Sequence, residues 1–448
     1  MRNLSRTIMT LALSLVCLLS FSQTGKWRQM HKVKSKETLY SIAREYGLTV
    51  DELTKANPDM SMPGYTLKKG DYIFIPYPAG EAPVNTEQPV KPVSAETTAN
   101  ALKVGVVLPL HNVDGDGRRM LEYYRGLLMA CEDLKREGKS VSVRAWNVPI
   151  DDDIYRTLVK DGIADCDIIF GPLYSKQVKP LSFFVKEHGM KLVIPFSITG
   201  DDVDSNPNIF QVYQSPEAFY SLVANHFAYR FKDYNVVVID CNDRSSDKGV
   251  FTFTVRKLLE QRGVSCSVTN IGSSSGMFAR AFSPVKPNMV VLNTARSPEL
   301  STVLDMLDSL TGEHPEIKVS LFGYTEWLMY VDYDLDRFCK YDTYIPSTFY
   351  YNQYSSRVKN FENRYRTMFK SEMMDYLPRF AITGYDHGMF FLRGLMKDGS
   401  DFDGSVEDKT ALQTYLHFVK PKTGGGYRNE SLMFVHYNRD KSISIINF

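Results

Sequence analysis

From residue 104 onward, short apolar runs alternate with stretches whose apolar residues recur every three to four positions. The runs occupy 104–108, 141–146, 167–170, 192–194, 236–239, 264–268, 289–292 and 319–322. Each has the length and continuous apolarity of a strand buried on both faces. The intervening segments, such as the one carrying Met120, Leu121, Tyr124, Leu127, Leu128, Cys131 and Leu134, gather their apolar residues on one helical face. A chain that repeats strand and helix in this order is confined to parallel sheets covered by helices, so the fold class is α/β. The eight runs divide into two groups of four, because residues 208–216 between them are rich in turn formers. An extended aromatic stretch at 341–351, helices near 355–370 and 379–396, and a hairpin pairing 432–437 with 442–447 complete the large module.

Residues 78–101 carry Pro78, Pro83, Pro89 and Pro92 and no aromatic residue. Such a segment cannot bury enough surface to fold and reads as a linker with a reach of roughly 70 Å. It separates the large module, 102–448, from a small one at 31–77 with the order strand, helix, helix, strand. Thr38 and Thr49 stand at the starts of the two helices, Gly47 stops the first, and Asn57-Pro58 ends the second. Residues 72–76 form the closing strand.

The run Val33, Thr38-Leu39, Ile42-Ala43, Tyr46-Gly47, Leu53, Asn57, Leu67, Gly70 and Ile75-Pro76 resembles a LysM domain, the module that binds N-acetylglucosamine-containing glycans. It departs from the usual pattern at Lys36-Glu37, where the family has Gly-Asp. The resemblance implies peptidoglycan as partner and a sugar seated between two loops, here Ser35, Lys36, Glu37 and Thr38 on one side and Asn57, Pro58, Asp59 and Met60 on the other. Exposed main-chain groups in such loops can hydrogen-bond acetamides while Pro58 or Met60 offers an apolar surface.

The large module resembles the type 1 periplasmic binding fold, two lobes joined by crossing strands with a ligand cleft between them. The residues that carry this are Asp167-Ile-Ile-Phe-Gly-Pro-Leu-Tyr-Ser175, Pro180, Gly189 and Ile194-Pro-Phe-Ser197. They are similar to the first lobe of branched-chain amino acid receptors and to the related domain of lipoprotein activators of penicillin-binding proteins. Leu321–Trp327 and Phe380–Asp386 suit the second group better. The resemblance implies one lobe at about 102–212 and 348–400 and a second at about 213–347 and 401–448.

In open parallel sheets, ligands sit beyond the carboxyl ends of the strands. That rule selects Ser175, Ser197, Asn293, Arg296, Tyr324 and Glu326 as candidate cleft residues. Ser175 opens a helix whose orphan N–H groups can hold a carboxylate, Arg296 can pair with an anion and Glu326 with an ammonium. Other motifs carry less. Gly272-Ser-Ser-Ser-Gly276 matches the pattern around a hydrolase nucleophile, with Asp386 and His436 as the nominal partners of Ser274, yet serine and glycine this dense mark a loop. Asp151-Asp-Asp153 reads as a helix cap rather than a glycosidase pair. Gly399–Gly404 lacks a calcium loop's first and twelfth ligands, and Gly115-Asp-Gly117 lacks the third glycine of a dinucleotide fingerprint. No catalytic residues, metal or cofactor are expected.

Residues 1–22 place Arg2 and Arg6 before an uncharged apolar stretch that ends at Ser20-Phe21-Ser22, the form of a secretory signal cleaved before Gln23. The rivals are an uncleaved anchor, for which the apolar run is short, and a lipoprotein through Cys17, which Val16 disfavours. The other cysteines, Cys131, Cys166, Cys241, Cys266 and Cys339, form no CxxC pair and read chiefly as buried small hydrophobes, with one or two bridges open. Lys and Arg total 53 against 52 Asp and Glu, too balanced for a nucleic-acid binder. The balance conceals an asymmetry: residues 26–77 hold nine basic and six acidic side chains, on the module expected to meet an anionic wall.

The expected protein is exported to the periplasm or cell envelope, binds peptidoglycan, and uses the bilobed domain to sense a small envelope ligand or to regulate a penicillin-binding protein or other wall enzyme. The alternatives are a periplasmic receptor for uptake of an amino acid or muropeptide, and a wall hydrolase.

Overall fold

A computed structural model describes residues 27–57, 60, 67–69, 72–76, 101–197, 201–406 and 410–448. The expected signal segment, the linker up to residue 100, and Pro58 and Asp59 lie outside the described residues. The chain forms two compact units, divided after Val93.

In the small unit, β1 (Trp27–Lys32) pairs antiparallel with β2 (Tyr72–Pro76), His31 facing Ile73. Helices α1 (Leu39–Glu45) and α2 (Val50–Ala56) lie between them in sequence. Both helices start where the threonines predict. Thr38 with Ser41, and Thr49 with Glu52, satisfy each other's orphan backbone donors as reciprocal caps. Gly47 ends α1 at φ 69, a left-handed conformation that strains a side-chain-bearing residue. Val33, Ile42, Ala43, Leu48, Leu53, Ile73 and Ile75 make the core.

The large unit holds two seven-stranded sheets. In the first, β3 (Leu102–Leu108), β4 (Val141–Asn147), β5 (Ile168–Phe170), β6 (Lys191–Ile194) and β7 (Ile209–Gln211) run parallel in the spatial order β4-β3-β5-β6-β7. The second repeats that order with β8 (Asn235–Asp240), β9 (Cys266–Asn270), β10 (Asn288–Leu292), β11 (Val319–Phe322) and β12 (Thr343–Ser347). All eight runs seen in the sequence are strands. Each group gains a fifth member, however, and β7 sits inside the stretch read as a turn-rich connection. Its three residues are too few to show a period, yet Ile209 and Phe210 are fully buried.

The first lobe is completed by distant chain. Helix α3 (Gly115–Arg136) packs along α12 (Phe380–Asp398), and a Cβ at Gly126 would lie 1.8 Å from the Ala381 carbonyl oxygen. A Cβ at Gly384 would lie 1.9 Å from that of Tyr123. Glycine at both places lets the backbones touch. Helix α11 (Ser356–Phe369) adds Val358, Phe361 and Tyr365 to the same cluster as Met129 and Ala381.

The expected lobe boundary at residue 401 is corrected. Strands β13 (Phe418–Val419) and β14 (Tyr427–Asn429) belong to the first sheet, β14 lying parallel to β7. The cause is aromatic: the Phe210 ring stacks on Tyr427 at 4.6 Å and meets Phe402 and Phe418, each at 5.3 Å. Only β15 (Met433–Tyr437) and β16 (Ile443–Asn447), the expected hairpin, extend the second sheet.

The chain thus passes between lobes three times, at 212–215, after β12, and at 430–432. The first and third passages are tied together, Gln214 Nε2 donating to Ser431 O at 2.8 Å and Asn429 Nδ2 to Val212 O at 3.0 Å. Among the described residues no helix is long and apolar enough to cross a membrane.

Candidate functional site

In the small unit, the glycan-loop candidates divide by task. Ser35 and Lys36 are exposed, and Lys36 adopts φ 70. Glu37 braces the turn: its carboxylate accepts from Lys34 N at 2.6 Å and lies 2.8 Å from His31 Nε2. The Lys34 amide first, then His31, hold its pKa below the usual carboxylate value. Thr38 caps α1, Asn57 Nδ2 donates to Leu53 O at 2.8 Å, and Met60 rests half-buried on the core. His31, Glu37 and Glu45 bring ligand-type atoms within 4.8 Å of one another, but His31 already meets Glu37 and Tyr46 Oη through its two ring nitrogens.

In the large unit, a cavity of about 530 Å³ opens between the lobes. The first lobe supplies Phe196 from the end of β6 and Leu377, Pro378, Phe380, Thr383 and His387 on and before α12. The second supplies Phe219 and Tyr220 from α6 (Pro216–Arg230) and Thr325, Glu326, Leu328 and Met329 from the turn after β11. Thr348 and Phe349 line it from the passage after β12, and Thr414 and Asn429 from the chain before β13 and the end of β14.

Two of the six expected cleft residues meet: Ser175 Oγ lies 3.1 Å from Ser197 Oγ, at the ends of neighbouring strands and beside Phe196. Glu326 lines the cavity wall, but its Oε1 is 2.8 Å from Lys248 Nζ, which also donates to Tyr220 Oη at 2.8 Å. Burial pulls the Lys248 pKa down, and the bonds to Glu326 and Tyr220 outweigh it, leaving the value above that of a free lysine.

Ser175 and Ser197 are not among the residues that line the cavity, and neither are the other three. Tyr324 is fully buried in the second core, its hydroxyl donating to the Leu292 carbonyl. Asn293 holds Cys241 N and Asp240 Oδ1, each at 2.8 Å. Arg296, 57% exposed, faces Asp243 at 3.7 Å and Glu299 at 3.6 Å. Of the six, the strand-end rule thus puts Glu326 on the cavity wall, while Asn293 and Arg296 fasten loops.

Sequence reasoning missed the aromatic walls and His387. The signal was present, since Phe380, Thr383 and His387 recur at i, i+3 and i+7 on α12. His387 is 1% exposed; its Nδ1 lies 3.0 Å from Tyr123 Oη, and burial pushes its pKa down to about 3, so the ring is neutral.

The nominal acid and base of a hydrolase are committed elsewhere. Asp386 accepts backbone N–H bonds from Leu412, Gln413 and Thr414 at 2.8–2.9 Å, and His436 pairs with Asp342 at 2.8 Å. Ser274 stands at the start of a five-residue helix without a side-chain capping bond, and Asp153 caps the helix that follows it. Cys131, Cys166, Cys241, Cys266 and Cys339 are free thiols.

Two sheets with the same strand order, three passages between them and an interlobe cavity define a type 1 periplasmic-binding-like fold, joined to a LysM domain. Residues 31–76 match the family described as "LysM domain". The chain is similar in structure to a putative branched-chain amino acid ABC transporter from Rhodospirillum rubrum, with 17% identity and a TM-score of 0.53 over 77% of this chain and all of that one. It is also similar to full-length LpoA from Haemophilus influenzae, with 12% identity and a TM-score of 0.47 over 78% of this chain and 59% of that one. A search of curated proteins found no match.

Proposed function

We propose that this is an exported, non-catalytic peptidoglycan-binding protein, tethered by its LysM domain, whose bilobed domain senses an envelope ligand or regulates a penicillin-binding protein or other wall-synthesis enzyme. The observation that carries this reading is the presence of a LysM domain and a receptor-like fold in one chain. The tether raises the local concentration of the bilobed domain at the wall. The exposed Ser35-Lys36 turn and the net basic character of the small unit support contact with an anionic glycan.

Sedimentation with purified peptidoglycan tests the reading. The full chain should pellet with the polymer, and a chain starting at Ser94 should stay in the supernatant; equal behaviour of the two overturns the tether. The interlobe cavity favours a second reading, a solute receptor for uptake. A thermal-shift screen with amino acids and muropeptides distinguishes it, because a receptor gains stability at saturating ligand.

A further inference from the structure

We propose that the interlobe cavity binds a neutral, mainly apolar ring compound carrying one hydroxyl-type polar group that reaches His387 Nε2, rather than the zwitterionic head of an amino acid. This deepens the ligand-sensing part of the proposed function and rests on it. The walls are apolar from both sides, with Phe196, Leu377 and Phe380 facing Phe219, Leu328 and Met329 across the cavity. The volume of about 530 Å³ lies within the range of small-molecule sites.

Three buried polar atoms that lack a hydrogen-bond partner belong to residues lining this one cavity: His387 Nε2, Thr414 Oγ1 and Glu326 Oε2. A buried polar atom left unpaired carries a desolvation cost that a partner removes. Three such atoms around one apolar space mark where a ligand's polar group belongs. His387 is the most deeply buried of these side chains, and Tyr123 already holds its other ring nitrogen. A hydroxyl both donates and accepts, so it suits Nε2 in either tautomer.

Charge excludes the zwitterion. Among the described residues Glu326 is the one charged side chain lining the cavity, and Lys248 already pairs with it. An α-carboxylate would enter without a cation, and burying an unpaired charge is far more costly than burying a neutral hydroxyl.

The test uses the full chain with 2-naphthol as probe, read by the suppression of naphtholate emission on transfer from water to an apolar site. Saturable one-to-one binding is expected, with no displacement by leucine and no comparable binding of 2-naphthoate, which has the same rings and a negative charge. Met329 is 60% exposed, so Met329→Lys places a charge on the wall without disturbing the core and should abolish binding. Thr414→Val and His387→Leu should each weaken it about tenfold, the loss of roughly one hydrogen bond; should His387→Leu fail to fold, Thr414→Val carries the test. Absence of saturable binding, equal or better binding of 2-naphthoate or leucine, or indifference to both Met329→Lys and Thr414→Val overturns the inference. Sedimentation of the same protein with peptidoglycan is scored separately, so loss of one activity with retention of the other shows which reading has failed.

Discussion

The Tyr123 hydroxyl lies 3.0 Å from Nδ1 of His387, joining α3 to α12 at the floor of the interlobe cavity. One turn along, Gly126 and Gly384 let the same two helices approach until backbone meets backbone. The polar floor and the close helix contact are therefore one construction, and substitutions should separate its parts.

Gly126→Ala sets two effects against each other. Helix propensity alone favours alanine by about 1 kcal/mol. The new Cβ would sit 1.8 Å from the Ala381 carbonyl oxygen, and relieving such a clash by moving backbone costs about 1–3 kcal/mol or more. Net destabilisation is expected, measured as a lower urea midpoint. A midpoint equal to or above that of the wild type would refute the close contact.

Glu122 and His387 give opposite pH dependences. Burial first, against the Met374 amide and the Arg379 and Arg125 charges, pushes the Glu122 pKa from 4.5 up to about 7, while burial pushes that of His387 from 6.5 down to about 3. The Glu122 contribution is fully present below pH 4.5 and is lost as pH rises toward 7; the His387 contribution is present above pH 6.5 and is lost as pH falls toward 3. Between about pH 4.5 and 6.5 unfolding releases one proton and takes one up, so the two cancel. Glu122→Gln should expose the histidine alone, with stability rising by up to about 1.4 kcal/mol per pH unit across that window. Urea denaturation at pH 5.0, 5.5 and 6.0 checks this, and parallel profiles for variant and wild type would count against it.

The Lys248–Glu326 pair is asymmetric. The lysine side chain is 9% exposed and the glutamate 38%. Removing the glutamate leaves the buried Lys248 ammonium only the Tyr220 hydroxyl and the exposed Asp247, 3.5 Å away, whereas Lys248→Met leaves Glu326 on a side chain that is itself 38% exposed. Glu326→Ala should cost about 2–3 kcal/mol and Lys248→Met roughly 1 kcal/mol less, compared by chemical denaturation. The reverse order would contradict the burial assigned to Lys248.

The thiols offer a chemical check. Burial raises the pKa of Cys131 to about 12, of Cys166 to about 11 and of Cys241 to about 12. Thiolates are therefore scarce at pH 8 and the native thiols should react slowly with an aromatic disulfide reagent. Denaturation without reductant should release the five thiols of the described residues at once. Recovery of only one or three would reveal a bridge.

Much of the fold was legible because strands buried on both faces leave unbroken apolar runs, and eight of them were read. Strand β7 was not, since Ile209, Phe210 and Gln211 are too short to carry a period beside Asn208 and Ser215. The return of β13 and β14 to the first lobe depends on rings around Phe210, which are scattered from Phe391 to Tyr427 in sequence. At the cavity, strand ends pointed to Glu326. Tyr324 and Glu326 lie two residues apart at the start of one short turn, and local sequence does not say which faces the core. His387 sits on a helix face that reads as ordinary core.

The late arrival of β14 and β15 also governs the order of assembly. Strand β7 lacks its outer neighbour until residues 427–429 are available, and β12 lacks its own until 433–437. A chain threaded N-terminus first therefore holds two unfinished sheet edges until its last stretch emerges, and neither lobe can close early. A chain cut short before Tyr427 would leave both edges open to pairing with another chain.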